Sequence, residues 1–275
     1  MAAFKLSVVV APPEAEFEAV VRIPLEEAAP LVARYEFDGI EISLLDPKSY
    51  TASKIESILS PYGLEVPAFS TGLNFIHLGY SLTSPNRELR EKAVERLKEF
   101  VDLAEPLGAG VIVGLMRGRT SKGQSVEEAI SLLVEGLRTV CEHAEGKGVD
   151  VYLEPINRYE TDLINTVEEA LRVLDRVDSP ALKLLLDTFH MNIEEPMIEE
   201  SIKAAKGRIG HFHVADSNRL APGMGHIDFK SVLAALKEAG YRGYLSAEVI
   251  IKPSLEEVLK TTRATLKPII EELEP

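Results

Sequence analysis

A single (β/α)8 TIM barrel of the α/β class is predicted by three observations. Short apolar runs rich in Val, Ile and Leu alternate with longer stretches of helical period, each pair taking roughly 30 residues. Eight such pairs fill the 275 residues, whereas a doubly wound open sheet more often has about five to seven strands. No Pro/Gly/Ser-rich linker or low-complexity tract divides the chain, so 1–275 reads as one domain.

The strands are predicted at 5–11 (KLSVVVA), 38–43 (DGIEIS), 65–71 (EVPAFST), 109–114 (AGVIVG), 149–154 (VDVYLE), 182–187 (LKLLLD), 209–215 (IGHFHVA) and 243–249 (GYLSAEV). Helices follow each in turn near 25–35, 52–61, 86–105, 126–146, 166–177, 197–206, 229–239 and 254–272. Ser, Thr or Asp precedes several of them, where a side-chain oxygen caps the first turn. Gly63, Gly108, Gly148 and Gly240 fall between a helix and the next strand, where the chain reverses through positive φ. No internal repeat is visible beyond this alternation.

Composition excludes several classes. Hydrophobic residues make up 45% and charged residues 27%, an ordinary globular balance that argues against disorder. A formal charge of −14 opposes a nucleic-acid partner, since such binding draws its affinity from Lys and Arg on phosphates. The one cysteine, Cys141, can form neither an intramolecular disulfide nor a thiolate cluster, which fits a reducing compartment. No run of 18 apolar residues and no signal-peptide pattern occurs, so a soluble, cytoplasmic protein without a membrane partner is expected.

In a barrel, chemistry gathers where strands end at the C-terminal face. Four late strands carry ionisable residues there: Glu154, Asp187, His213 and Glu248, at intervals of 33, 26 and 35 residues. An acid at one strand end alone would as readily cap a helix or pair with a base. Four in succession are forced together by the barrel. Three carboxylates gathered with an imidazole are electrostatically costly unless a cation neutralises them, and this donor set suits Mn²⁺, Mg²⁺ or Co²⁺. A divalent metal site is therefore predicted. His211 points to the same side as His213 but deeper, and reads as a hydrogen-bonded interior histidine. His77 is assigned to a loop and His143 to a helix surface. Glu41, ending the second strand, either supports the site or forms a simple ion pair.

At these residues the sequence resembles the xylose isomerase-like barrels, and within them the D-tagatose 3-epimerase and related ketose 3-epimerases. The segments LEPINRYETDLINT, LLLDTFHMNIEE and HFHVADSNRLAPGMGHIDF, followed by SAEV, match that group's motifs in order and spacing. The first half agrees mainly in layout. The resemblance implies that Glu154, Asp187, His213 and Glu248 bind the metal, with Mn²⁺ preferred. It implies that Glu160, His190 and Arg219 hold a small ketose or keto sugar acid, and that the chain forms a dimer or tetramer. Structural alternatives stand beside two of these: Arg219 as a solvated loop residue and His190 as the cap of a following helix.

The chemistry agrees with the resemblance. A hydrogen beside a ketone is weakly acidic, and a metal on the ketone oxygen and the neighbouring hydroxyl stabilises the cis-enediolate formed on its removal. Glu154 and Glu248 come from different sides of the pocket, so one can remove the proton and the other return one to the opposite face. His190 and Arg219 would face the oxygen where negative charge builds.

The end of the fourth strand, VIVGLMRGRTSKGQS, departs from the ketohexose epimerases and places Arg117 and Arg119 at the rim. A carboxylate or phosphate accepts paired N–H bonds from Arg, and a similar segment occurs in relatives acting on keto sugar acids such as 5-keto-L-gluconate. The pair reads equally as a solvated loop. The stretch GLNFIHLGYSLTSPN is expected to form a lid, with Leu73 and Phe75 giving apolar cover. Three other functions compete with this one. The endonuclease branch needs extra metal-binding histidines where this chain has Thr71, Gly72 and Gly114. An aldose–ketose isomerase would use the same metal site, and a non-catalytic sugar-binding protein would lack two acids placed to exchange protons.

Overall fold

The alternation of strand and helix closes into a ring in the computed structural model, which describes residues 4–273. The end of strand β1 (Phe4–Ala11) is flanked by the two-residue β2 (Val21–Arg22), which pairs parallel to it. The ring then runs through β3 (Gly39–Ser43), β4 (Ala68–Ser70), β5 (Gly110–Val113), β6 (Val151–Leu153), β7 (Leu182–Asp187), β8 (Ile209–Val214) and β9 (Gly243–Ala247). Pairing of β9 back to β1 closes eight parallel strands, each predicted from the sequence to within three residues at either end.

Eight long-range connections are helical. They are α1 (Leu25–Arg34), α2 (Ala52–Leu59), α4 (Arg87–Ala104), α5 (Val126–Glu145), α6 (Val167–Val177), α8 (Ile198–Ala204), α9 (Phe229–Glu238) and α10 (Leu255–Leu273), with α3 (Gly72–Leu78) and α7 (Thr188–Glu194) inserted directly after β4 and β7. Local chemistry sets several starts. Ser125 and Glu128 form a reciprocal cap on α5, and Thr166 and Glu169 do the same on α6. The first seven residues of the stretch expected to form a lid are helix α3. Leu73 and Ile76, three apart, put one face toward the barrel mouth. His77 therefore sits exposed on a helix rather than in a loop. His190 lies within α7, whose N-cap is Asp187, so it does not cap a following helix.

Strand periodicity sorts the side chains into two sets. Val151, Leu153, Leu184, Leu186, Phe212 and Leu245 point outward into one large core shared with the helices. Phe69, Phe100, Leu97, Leu133 and Leu137 fill it on the helix side, all at 0% exposure. The alternate residues point inward. Tyr152 fills the barrel floor, stacked on His211 at 5.6 Å between ring centroids. Gly110 and Gly210 leave it room, since a Cβ at either would enter the Tyr152 ring. One step higher on the same inward face stand Glu154, Asp187, His213 and Glu248. No helix among the described residues is long and apolar enough to cross a membrane.

Candidate active site

Period-two alternation and parallel register bring the four predicted ligands to one level. Asp187 and His213 are register partners across β7 and β8. Glu154 follows β6 and Glu248 follows β9. One ligand atom from each of the four lies within 4.8 Å of the others, and all four residues are buried. His213 Nδ1 stands 3.7 Å from Asp187 Oδ2 and 4.0 Å from Glu248 Oε2.

Two of these buried atoms, Asp187 Oδ2 and His213 Nδ1, have no hydrogen-bond partner. Orphaned lone pairs converging among carboxylates are what a cation would satisfy, and three carboxylates with one imidazole suit a hard or borderline divalent ion. The donor set fits the predicted metal.

Glu41 sits directly behind this group and is fully buried. Its Oε2 accepts from His211 Nε2 at 2.8 Å and His213 Nε2 at 3.0 Å, while Ser70 Oγ donates to Oε1. Burial opposes its charge, but the His213 and His211 rings outweigh that and hold its carboxyl well below the usual range. Of the two readings left open for Glu41, the structure selects support of the site. His213 thus binds Glu41 through Nε2 and turns Nδ1 to the carboxylates. His211 is the hydrogen-bonded interior histidine expected.

Electrostatics separates the acids. Burial, and then the neighbouring Glu248, push the Glu154 carboxyl well above the ordinary carboxylate range. Burial also raises Glu248 to about 6, against the pull of His213 and Arg219. Asp187 overcomes its burial through the rings of His190 and His213 and stays well below the usual range. Burial lowers His190 to about 4, leaving a neutral imidazole at neutral pH.

A small cavity opens above the four ligands. Glu154, Glu160, His190, His213, Arg219 and Glu248 supply its polar wall, and Phe17, Leu73, Ile76, Leu115 and Ile156 its apolar one. Gly114 permits a close approach: a Cβ there would lie 2.5 Å from Glu154 Oε2. Arg219 bridges two acids, donating to Glu160 Oε1 at 2.7 Å and Glu248 Oε2 at 2.9 Å. Its guanidinium also lies over the rings of Phe189 and Phe17, at 4.8 and 5.4 Å. The backbone that delivers it is strained, with φ 61 at a non-glycine residue. Buried Asp216 holds that turn, accepting from the backbone N–H groups of Ser217, Gly223 and Ile227.

Arg117 and Arg119 do not line the cavity. Arg117 ends a 3-10 turn after β5 and folds inward, 1% exposed, with Nη1 donating to the Leu163 carbonyl. Burial lowers it to about 10, so it remains charged at neutral pH. Arg119 is exposed and lies over Phe75 of α3 at 5.9 Å, beside the cavity-lining Gly72, Leu73 and Ile76. Sequence reading missed Phe17, Phe189, Asp216 and Asn157. A polar residue three positions beyond the strand-end Glu154 is the one signal that could have raised Asn157.

A family model described as xylose isomerase-like TIM barrel matches residues 29–269. An L-ribulose 3-epimerase from Methylomonas sp. (strain DH-1) is 36% identical over 233 residues, covering 82% of this chain and 80% of that one. Among solved structures, an L-ribulose 3-epimerase superposes with a TM-score of 0.83 at 28% identity, covering 98% of this chain and 95% of the other. A 3-keto-D-glucoside 4-epimerase from E. coli superposes with a TM-score of 0.78 at 25% identity, covering 96% and 99%.

Proposed function

The chain belongs to the xylose isomerase-like TIM barrel family and is an epimerase of the isomerase class, and from that premise we propose that it inverts the carbon beside the ketone of a ketose or keto sugar acid with two glutamates as acid and base. One observation carries this reading: two buried carboxylates, Glu154 and Glu248, reach the same cavity from β6 and β9, three strands apart around the ring.

Glu154, Asp187, His213 and Glu248 would hold a divalent ion, Mn²⁺ by preference with Co²⁺ or Mg²⁺ as substitutes. When bound, it supplies a Lewis acid that makes the C–H beside the ketone more acidic and favours the ionised form of the surrounding carboxylates. The protein's own groups do the rest. One glutamate carboxylate takes the proton from carbon, and the C–H electron pair moves toward the ketone oxygen. The other glutamate, protonated, delivers its proton to the opposite face, and the configuration inverts. Arg219 and neutral His190 point hydrogen-bond donors at the cavity, where negative charge builds on oxygen. Phe17, Leu73 and Ile76 keep water from that charge.

The test is a panel of ketohexoses, ketopentoses and keto-aldonates incubated with the Mn²⁺-loaded protein in D₂O. Deuterium should enter at the carbon whose configuration changes. Tight Mn²⁺ binding with no exchange on any sugar would leave a non-catalytic binding protein.

The anionic branch of the substrate class has its own expected result. Arg119, at the rim beside α3, is the arginine a substrate carboxylate could reach without displacing the Arg117–Leu163 contact. Arg119→Ala should raise KM for a keto-aldonate about tenfold, the loss of a charge-assisted contact worth roughly 1.5 kcal/mol, and leave a neutral ketose nearly unchanged. Equal effects on both substrates would point to a neutral ketose instead.

A further inference from the structure

Asn157 begins the loop that follows Glu154 and is 1% exposed. All of its side-chain hydrogen-bonding groups have partners. Its Oδ1 accepts from the backbone N–H of Tyr159 at 3.0 Å. Its Nδ2 stands 3.0 Å from Glu160 Oε1 and 2.7 Å from His190 Nδ1. A backbone N–H can only donate, so the atom facing Tyr159 must be the amide oxygen, and the atom facing His190 must be the amide nitrogen. An amide nitrogen can only donate as well. His190 Nδ1 must then be the acceptor, and the ring proton must sit on Nε2.

We infer that Asn157 is a positioning residue that fixes His190 in the Nε2–H tautomer and thereby aims a neutral donor into the cavity. His190 Nε2 lies 3.7 Å from Glu154 Oε1, on the cavity side of the ring. With the other tautomer the same ring would present a lone pair there. It would accept from a substrate hydroxyl but could not donate to an oxygen gaining negative charge. The second Nδ2 hydrogen acts in the same direction. It binds the Glu160 oxygen that also accepts from Arg219, so one amide ties the histidine and the arginine–glutamate bridge into a single wall. The functional half of this inference rests on reading His190 as substrate-facing; the tautomer itself does not.

The experiment is long-range ¹H–¹⁵N correlation NMR on ¹⁵N-histidine-labelled protein loaded with diamagnetic Mg²⁺, with His190→Gln identifying the His190 signals among the six histidines. The wild type should show an unprotonated Nδ1 and a protonated Nε2 at neutral pH. Asn157→Asp keeps an acceptor for the Tyr159 N–H but faces His190 with a carboxylate oxygen, so the proton should move to Nδ1. In the sugar exchange assay the same variant should lose on the order of 10²-fold in kcat, the effect of removing one preorganised donor, with a smaller change in KM. Asn157→Leu, which imposes no tautomer, should show both forms and an intermediate rate. A wild-type Nδ1–H tautomer, or an Asn157→Asp variant whose tautomer does not change, would overturn the inference. Failure of the epimerase reading would show separately, as a correct tautomer in a protein that exchanges no sugar.

Discussion

Glu154→Gln and Glu248→Gln are each expected to lower kcat by on the order of 10⁴-fold, the upper end of what a positioned acid or base contributes, because each also removes a charge from the metal-ligand set. The fold should survive. Gln matches the protonated carboxyl in shape, and burial already favours the neutral form of both acids. Kinetics on the sugar that exchanges in D₂O, with circular dichroism as the control, decides the matter. The two variants should also differ. If Glu154 and Glu248 work on opposite faces, each variant should retain slow exchange from one epimer with no inversion, since abstraction needs a single base. A near-normal rate in either variant removes that residue from the mechanism.

The second large effect concerns metal and pH together. A carboxyl whose folded pKa lies above its unfolded value holds its proton more tightly when folded. Its contribution to stability is complete below the unfolded value and disappears as pH climbs through the folded one. For Glu248 that window runs from 4.5 to about 6, a loss on the order of 2 kcal/mol, and Glu154 extends it upward. Protein stripped with a chelator should therefore melt at progressively lower temperature from pH 5 to pH 8. Asp187 and Glu41 act in the opposite sense: held below their ordinary 3.8 and 4.5, they contribute above those values and lose that contribution in acid. Adding Mn²⁺ at pH 8 to about a thousandfold excess over its Kd should restore about 4 kcal/mol. The ion should also release protons, because Glu154 and His213 both hold theirs above the ordinary range. Calorimetric metal titrations in two buffers of different ionisation enthalpy count those protons. A melting temperature indifferent to both pH and Mn²⁺ would refute the metal site.

What the sequence made legible follows from which constraints are local. Glu154, Asp187, His213 and Glu248 could be read from spacing alone, because each ends a strand and a parallel barrel aligns strand ends. The role of Glu41 could not. Its partner His211 lies 170 residues away, and only ring closure brings them together. Arg117 shows the converse failure. A strand-end arginine was expected at the rim, but the 3-10 turn bounded by Gly114 and Gly118 rotates it back under the carbonyl of Leu163. Helices α3 and α7 start with at most one residue between them and the ends of β4 and β7, so no turn signal separates them from the strands before them. Asn157 was hidden because its partners, a backbone N–H, an imidazole and a carboxylate, follow from loop geometry rather than residue type.

Tyr152 closes the barrel below the histidines, and Lys183 pairs with Asp150 at 2.6 Å beneath it. Among the described residues the floor of the chamber is thus filled, and the cavity lies at the strand-end face. A sugar and its epimer would occupy the same cavity, so each will act as a competitive inhibitor of the other's conversion. The direction of net conversion is left wholly to how the ratio of the two sugars outside stands to their equilibrium ratio.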